Sequence, residues 1–146
     1  FILTYGYNTD GGALAAKVGS IGESRTLGYQ EHGTSGWFTI FIRGMLCNWM
    51  VSMGVVGAMI STSAGSKMAA MWMPVMLFFF MGFEHSIVNM FLFPFSMIMG
   101  GEFTISDYLI WNEIPTVLGN LVGGFLLVGL PLYWTHVRTS AERKLV

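Results

Sequence analysis

Charged side chains are the scarcest component of this sequence. Only 10% of the 146 residues are charged, whereas a soluble domain carries about 25%. From residue 33 to residue 101 the only charged side chains are Arg43, Lys67 and Glu84. This shortage excludes an ordinary soluble domain, and a net charge of −1 leaves no basic surface for nucleic acid. With 53% hydrophobic residues, the chain is predicted to be an all-α protein that crosses a lipid bilayer several times.

Residues that usually mark an enzyme or a metal site are also few. The single cysteine, Cys47, excludes an intrachain disulfide. Three histidines without cysteine or carboxylate spacing do not form a zinc pattern. The sequence contains neither a glycine-rich phosphate loop nor a nucleophile motif. We therefore expect no bound cofactor and no enzymatic activity.

The N-terminal end lacks the charged start and cleavage site of a signal peptide. The chain begins at Phe1 without an initiator methionine, and residues 1–7 resemble the end of an apolar segment. We therefore expect the C-terminal part of a longer membrane protein. In this interpretation residues 1–36 hold the end of a preceding span and a water-exposed extracytoplasmic loop, with a short helix near residues 13–18.

What the sequence has in abundance is apolar stretches of membrane-spanning length. The predicted spans are residues 37–60, 68–100 and 108–136. Basic residues concentrate on the cytoplasmic side of a membrane, and Lys67 falls on the same predicted side as Arg138, Arg143 and Lys144. The tail, residues 137–146, is therefore predicted to be cytoplasmic. We also expect the chain to lie in the plasma or inner membrane.

The middle span is too long to cross the membrane straight. As one helix it would measure about 50 Å, whereas the hydrocarbon core is about 30 Å thick. It also contains Glu84 and His85, and ionisable residues inside a membrane usually face a bundle interior or an ion path. We therefore predict two half-helices joined at a break, with Gly82, Glu84 and Ser86 as its structural residues and with backbone that lines a cavity.

His85 is the predicted centre of the site. Asn89 follows one helical turn later on the same face, and Phe78 lies seven residues earlier on a similar side of the first half-helix. An imidazole beside an amide and an aromatic ring can donate hydrogen bonds to a small anion and exchange a proton with it. The alternative that stays open is that His85 and Asn89 satisfy each other and the interrupted backbone.

Small and polar residues mark faces on which helices pack. Gly44, Asn48 and Ser52 recur every four residues in the first span, and Gly119 and Gly123 form a GxxxG pair in the last. The stripe in the first span either packs closely on another helix or lines water, and the glycine pair in the last span indicates close helix approach. Asn48 is therefore either across from the histidine or a hydrogen-bonding residue between helices.

Three segments together resemble the formate/nitrite transporter family, namely residues 43–51 (RGMLCNWMV), 82–89 (GFEHSIVN) and 114–124 (IPTVLGNLVGG). The Phe-Glu-His-Ser-Ile core is close to diagnostic, and the likeness covers about residues 37–134. The resemblance implies half of an aquaporin-like fold and a homopentamer in which each six-helix protomer has its own pore. It also implies transport of small monovalent anions such as formate, nitrite or hydrosulfide, neutralised by proton transfer, directly or through the histidine.

The resemblance further implies roles for individual residues. His85 matches the pore histidine, Asn48 and Asn89 match the two asparagines beside it, and Phe78 matches an aromatic constriction. Two basic residues are candidates for the vestibule. They are His32, which falls by an ungapped count where many members carry a lysine, and Arg43, which lies a turn or two inside the first span.

Two other functions stay open at the level of the sequence. In one, the chain is a subunit of a membrane enzyme and His85 binds haem or a metal, which requires a second ligand on a facing helix. In the other, the chain is structural, and Glu84, His85, Asn48 and Asn89 only hold helices together.

Overall fold

The computed structural model describes residues 12–138, and within them it contains helices and no strand. The predicted all-α class is therefore confirmed. The helices are α1 Ala13–Ser24, α2 Leu27–Gln30, α3 Gly33–Ile60, α4 Ala64–Phe80, α5 Ser86–Ile98 and α6 Ile105–Arg138. The predictions for residues 1–11 and for the tail from residue 139 onward lie outside the described residues.

The last helix is not a regular α-helix along its whole length. Three stretches of α6 wind as π-helix, Leu109–Glu113, Phe125–Gly129 and Tyr133–Arg138. The α-helical stretches are Ile105–Tyr108, Ile114–Gly124 and Leu130–Leu132. π-turns are uncommon and are frequent at functional sites.

Helix length and composition agree with a membrane protein. Of the described helices, α3 with 28 residues and α6 with 34 are long and apolar enough to cross a membrane. The predicted first and last spans fall within them. The apolar helices α4 and α5 have 17 and 13 residues, or about 26 Å and about 20 Å, so each is shorter than a hydrocarbon core of about 30 Å.

The chain leaves helical geometry between α4 and α5, where the sequence predicts a break. Gly82 has φ +63°, a backbone conformation that only glycine adopts at little cost. Its N–H donates to the Phe79 carbonyl oxygen over 3.1 Å, and the Phe83 N–H donates to the Phe78 carbonyl oxygen over 3.0 Å. This pair of bonds is the Schellman arrangement that ends a helix, so Gly82 is the local cause of the break.

Side-chain caps define where two of the helices start. The Ser63 hydroxyl oxygen accepts from the Ser66 N–H at the start of α4. At the start of α6, the Thr104 hydroxyl accepts from the Asp107 N–H and the Asp107 carboxylate accepts from the Thr104 N–H. This reciprocal capping box satisfies backbone donors that a helix start leaves unpaired.

The described residues divide into two compact units, one of residues 12–40 and 86–115 and one of residues 41–85 and 116–138. The core of the first unit is Phe93, stacked on Tyr108 with ring centroids 4.6 Å apart and edge-on to Phe103 at 5.7 Å. These rings join α5 to the start of α6.

The N-terminal helix differs from its prediction. Where the sequence suggests a water-exposed connection with a short helix near residues 13–18, the first unit contains α1, which continues to Ser24 and packs on α5. The Ser96 hydroxyl donates to the Gly19 carbonyl oxygen over 3.1 Å. A Cβ at Gly22 would collide with the Ser96 hydroxyl, so glycine allows this close approach.

Small residues also hold the second unit together. A Cβ at Gly119 would collide with the Phe41 carbonyl oxygen, and one at Gly123 would collide with the Met45 carbonyl oxygen. From the other side, a Cβ at Gly44 would lie 2.9 Å from the Thr116 carbonyl oxygen. The backbones of α3 and α6 therefore approach to a distance that only glycine permits, as the GxxxG spacing predicts.

Candidate functional site

His85 is the last residue of the break, immediately before α5. Its ring centroid lies 5.8 Å from that of Phe78, at an interplanar angle of 33°. Phe78 is only 3% exposed, so the ring forms an apolar wall beside the imidazole. The Nδ1 atom of His85 is buried and has no hydrogen-bond partner among residues 12–138. The second unit therefore contains a buried imidazole nitrogen that can still donate or accept a hydrogen bond.

The backbone of the break is held by a side chain from α6. The Asn120 side-chain amide donates to the Glu84 carbonyl oxygen over 3.0 Å and to the Gly44 carbonyl oxygen over 2.9 Å. Glu84 itself is fully buried. Interrupted backbone at membrane depth needs such internal partners. The sequence analysis named Gly82, Glu84 and Ser86 as the structural residues of the break and missed Asn120, although an asparagine in an apolar span was a usable signal.

Asn48 also forms a hydrogen bond with Asn120. Its side-chain amide donates to the Asn120 main-chain oxygen over 2.6 Å. A Cβ at Gly124 would lie 2.6 Å from that amide nitrogen and 3.3 Å from the Ser52 hydroxyl oxygen. Of the two roles that the sequence allows for this polar stripe, these contacts are those of a helix-packing face.

The two vestibule candidates lie in different environments. Arg43 is partly buried, and one of its guanidinium nitrogens lies 3.9 Å from the position that a Cβ would take at Gly82. A positive charge therefore lies beside the break within the second unit. His32 is exposed in the short turn between α2 and α3 of the first unit.

Asn89 belongs to a hydrogen-bonded chain in the first unit. Its side-chain amide donates to Asn112 Oδ1 over 2.7 Å, and the Asn112 amide donates to the Arg25 carbonyl oxygen over 2.9 Å. Both asparagines are fully buried. Ser86, the remaining predicted residue of the break, is the first residue of α5. Asn112 was not among the predicted site residues, since nothing in its local sequence indicates which helix it would face.

The first unit contains a second buried pair of hydrogen-bonded side chains. The Tyr108 hydroxyl donates to Glu113 Oε2 over 2.9 Å, and the two residues are 9% and 6% exposed. They are five positions apart, across the π-turn Leu109–Glu113 that also contains Asn112. The hydrogen bond therefore fixes the local winding of α6 around Asn112. Sequence reasoning had missed this carboxylate as well.

Two further features bear on the chemistry of the chain. No group of three His, Cys, Asp or Glu side chains within residues 12–138 is arranged to hold a metal ion. An open apolar cavity of about 480 Å³ in the second unit is lined by α3 and α4 side chains such as Met50, Met73 and Leu77. It offers no polar group to an anion and is not the candidate site.

These features define an all-helical membrane protein in which a half-helix that ends at a glycine is followed by a break, and the break carries a partly buried histidine. The particular family follows from comparison with known proteins. The model of the formate/nitrite transporter family matches residues 1–134, and the chain belongs to that family.

The curated proteins that this chain resembles are named as transporters and channels, not as enzymes. The probable formate transporter of Methanothermobacter thermautotrophicus is 37% identical over 88% of this chain and 43% of its own length. The formate channel FocA of Escherichia coli (strain K12) is 36% identical over 66% of this chain and 40% of its own length. Among solved structures, a pentameric formate channel with formate bound matches with a TM-score of 0.77 and 26% identity, over 93% of this chain and 58% of that one. The chain therefore spans less than half the length of these two curated relatives.

Proposed function

We propose that the protein containing this chain transports small monovalent anions of the formate/nitrite type across the plasma or inner membrane. In this proposal His85 is the central pore residue and couples anion passage to proton transfer. The observation that carries the proposal is the buried Nδ1 of His85 at the end of the break, which has no hydrogen-bond partner in the part of the chain that the structure describes and lies beside the Phe78 ring. Family membership and the names of the relatives support the substrate class.

The chemistry follows from the cost of moving a charge through an apolar passage. An unpaired ion in a low-dielectric medium is strongly disfavoured, whereas the neutral acid of formate or nitrite is not charged. An imidazole can donate a hydrogen bond to the bound anion and exchange a proton with it near neutral pH. Phe78 supplies the apolar constriction that makes this neutralisation necessary.

The membrane arrangement in this proposal has three crossings. They are α3, the pair α4 and α5 as one broken crossing, and α6, whose C-terminal end faces the cytoplasm. Arg43 and His32 are assigned to the vestibule, where they attract anions, and Asn48 and Asn89 are assigned to the pore. A homopentamer with one pore per protomer is supported by the pentameric formate channel of similar structure. Hydrosulfide is a further candidate substrate.

A structural function is the second candidate, and two observations favour it. Asn48 and Asn89 use their side-chain amides to bond other helices, through Asn120 and Asn112 respectively. If packing were their whole role, alanine at either position would weaken assembly and would change flux only in proportion to the folded fraction. If they also face the anion, flux per folded protein falls.

The experiment that tests the proposal uses the full protein reconstituted in liposomes. Uptake of labelled formate and nitrite is measured with an imposed pH gradient, while an internal dye follows proton movement. We expect uptake of both anions to exceed that of protein-free liposomes and to carry protons in the same direction. Folded, reconstituted protein that moves neither anion contradicts the proposal.

A further inference from the structure

The second unit contains an open groove between α3 and α4, with a cavity of about 480 Å³. Its lining is apolar throughout and includes several methionines. Two of them, Met53 and Met73, are 51% and 64% exposed in the part of the chain that the structure describes. Methionine side chains are flexible and pack well against irregular apolar partners. The groove therefore suits a hydrocarbon chain and offers nothing to a polar ligand.

The groove lies at the depth that lipid tails occupy. Its α3 residues run from Leu46 to Met53, which places it about 10 to 21 Å from the end of α3 at Ile60. A polar turn, residues 61–63, follows that end. Because the hydrocarbon core is about 30 Å thick, the tails of one leaflet reach to a depth of about 15 Å. A lipid whose headgroup lies at the turn can therefore place the end of an acyl chain in the groove.

The membrane surface at that turn carries a positive charge. Lys67 is exposed in the first turn of α4. It precedes Pro74 by seven residues, so the two share a face of the helix, and Pro74 lines the groove. Residues 41–85 and 116–138, the described part of the second unit, contain one acidic side chain, Glu84, and it lies beyond the opposite end of α4. The charge of Lys67 is therefore not neutralised by a carboxylate nearby in the chain.

The end of α6 adds a second basic residue at this level. The contacts of Gly119 with Phe41 and of Gly123 with Met45 show that α6 runs parallel to α3. The same register, continued along both helices, brings Arg138 close to the level at which α3 ends. Basic side chains at a membrane surface attract anionic lipids, so this end of the unit complements a negatively charged headgroup.

We infer that the groove binds an anionic phospholipid of the leaflet at this turn, with an acyl chain between α3 and α4 and the phosphate beside Lys67. The end of the chain contacts Met81 and Phe83, which line the groove on either side of Gly82 at the break. Such binding needs the membrane but not anion transport, so it goes beyond the proposed function.

The test reconstitutes the full protein in bilayers of phosphatidylglycerol and phosphatidylcholine, with bromine atoms halfway along the acyl chains of one lipid or the other. Bromine quenches the fluorescence of a tryptophan that it touches, and Trp49 lines the groove. The difference between wild type and Trp49→Phe gives the Trp49 signal. We expect phosphatidylglycerol to bind about fivefold more tightly than phosphatidylcholine, the factor that one lysine contributes near an anionic lipid surface.

Two pairs of variants separate the headgroup from the acyl chain. Lys67→Gln should bind both lipids equally, whereas Lys17→Gln, which removes an exposed lysine of α1 in the first unit, should keep the preference. Met73→Gln places an amide in the groove and should reduce quenching of Trp49 by both lipids. Met76→Gln is its matched control, because Met76 is exposed on the same helix but lies outside the groove lining.

Several outcomes would overturn the inference. Equal binding of the two lipids by wild type would reduce the groove to ordinary lipid-facing surface, and a preference that persists in Lys67→Gln would remove Lys67 from the site. Loss of the preference in Lys17→Gln as well would show a general effect of protein charge. Absence of Trp49 quenching by either lipid would show that the rest of the protein or a second copy fills the groove. None of these results depends on formate or nitrite flux, so the transport proposal is tested separately.

Discussion

Asn120 and Glu84 are joined at the break, where the Asn120 side-chain amide donates to the Glu84 carbonyl oxygen over 3.0 Å. That carbonyl belongs to the peptide bond that leads into His85. The same amide donates to Gly44 of α3 over 2.9 Å. A single side chain of α6 therefore ties the main chain beside the histidine to a second helix.

Replacing Asn120 by leucine tests the importance of these two hydrogen bonds. The change removes the donor for the Glu84 carbonyl, and a buried polar group left unsatisfied costs about 1–3 kcal/mol. We expect Asn120→Leu to lower the free energy of unfolding in detergent by that amount and to lower formate flux. The control is Thr39→Val, which loses an exposed hydrogen bond to the Ser35 carbonyl oxygen of its own helix. Equal stability of the two variants would contradict the assigned role of Asn120.

The close contact of α3 and α6 gives a second prediction. Alanine at Gly119 or Gly123 places a Cβ against the main chain of α3, and overpacking of this kind costs about 1–3 kcal/mol. We expect either variant to unfold at lower temperature. Gly65→Ala is the control, because a Cβ there meets nothing within 4 Å. It should be neutral or slightly stabilising, since alanine favours a helix more than glycine does.

The break and the packing faces were predictable because their causes are local. An apolar stretch too long for one straight crossing, with Gly82 beside two ionisable residues, is enough to predict an interruption there. Likewise, Gly119 and Gly123 are four residues apart, so they lie on one face of any helix. Neither prediction needed knowledge of the partner helix.

The features that sequence reasoning missed depend on contacts between distant segments. The segment around Gly19 and Gly22 resembles a loop by composition, and its helix is stabilised by packing on α5, a segment far away in the chain. The partners of Asn89 and Asn48 could not be chosen from the sequence, because the facing side of α6 depends on the π-turn at Leu109–Glu113. No short sequence signal marks that turn.

Phe78 provides a prediction about selectivity. Its nearly buried ring lies beside His85, so removing it should widen the proposed constriction. We expect Phe78→Ala to raise the uptake of a larger anion, such as lactate, relative to formate. Phe80→Ala is the matched control, because Phe80 is 88% exposed and its loss should leave the ratio unchanged. If the ratio of lactate uptake to formate uptake is unchanged in Phe78→Ala, Phe78 is not part of the proposed site.

Proton coupling through His85 is the central claim, and one measurement tests it most directly. His85→Asn and a control, His136→Asn, are reconstituted at equal amounts. The His136 ring is exposed and shares a hydrogen bond with its neighbour Thr135. Formate flux and proton movement are recorded together across an imposed pH gradient. We predict that His85→Asn assembles but loses proton-coupled formate flux, while His136→Asn behaves as wild type. Proton-coupled flux of wild-type size in His85→Asn would contradict the account and leave the break a purely structural feature.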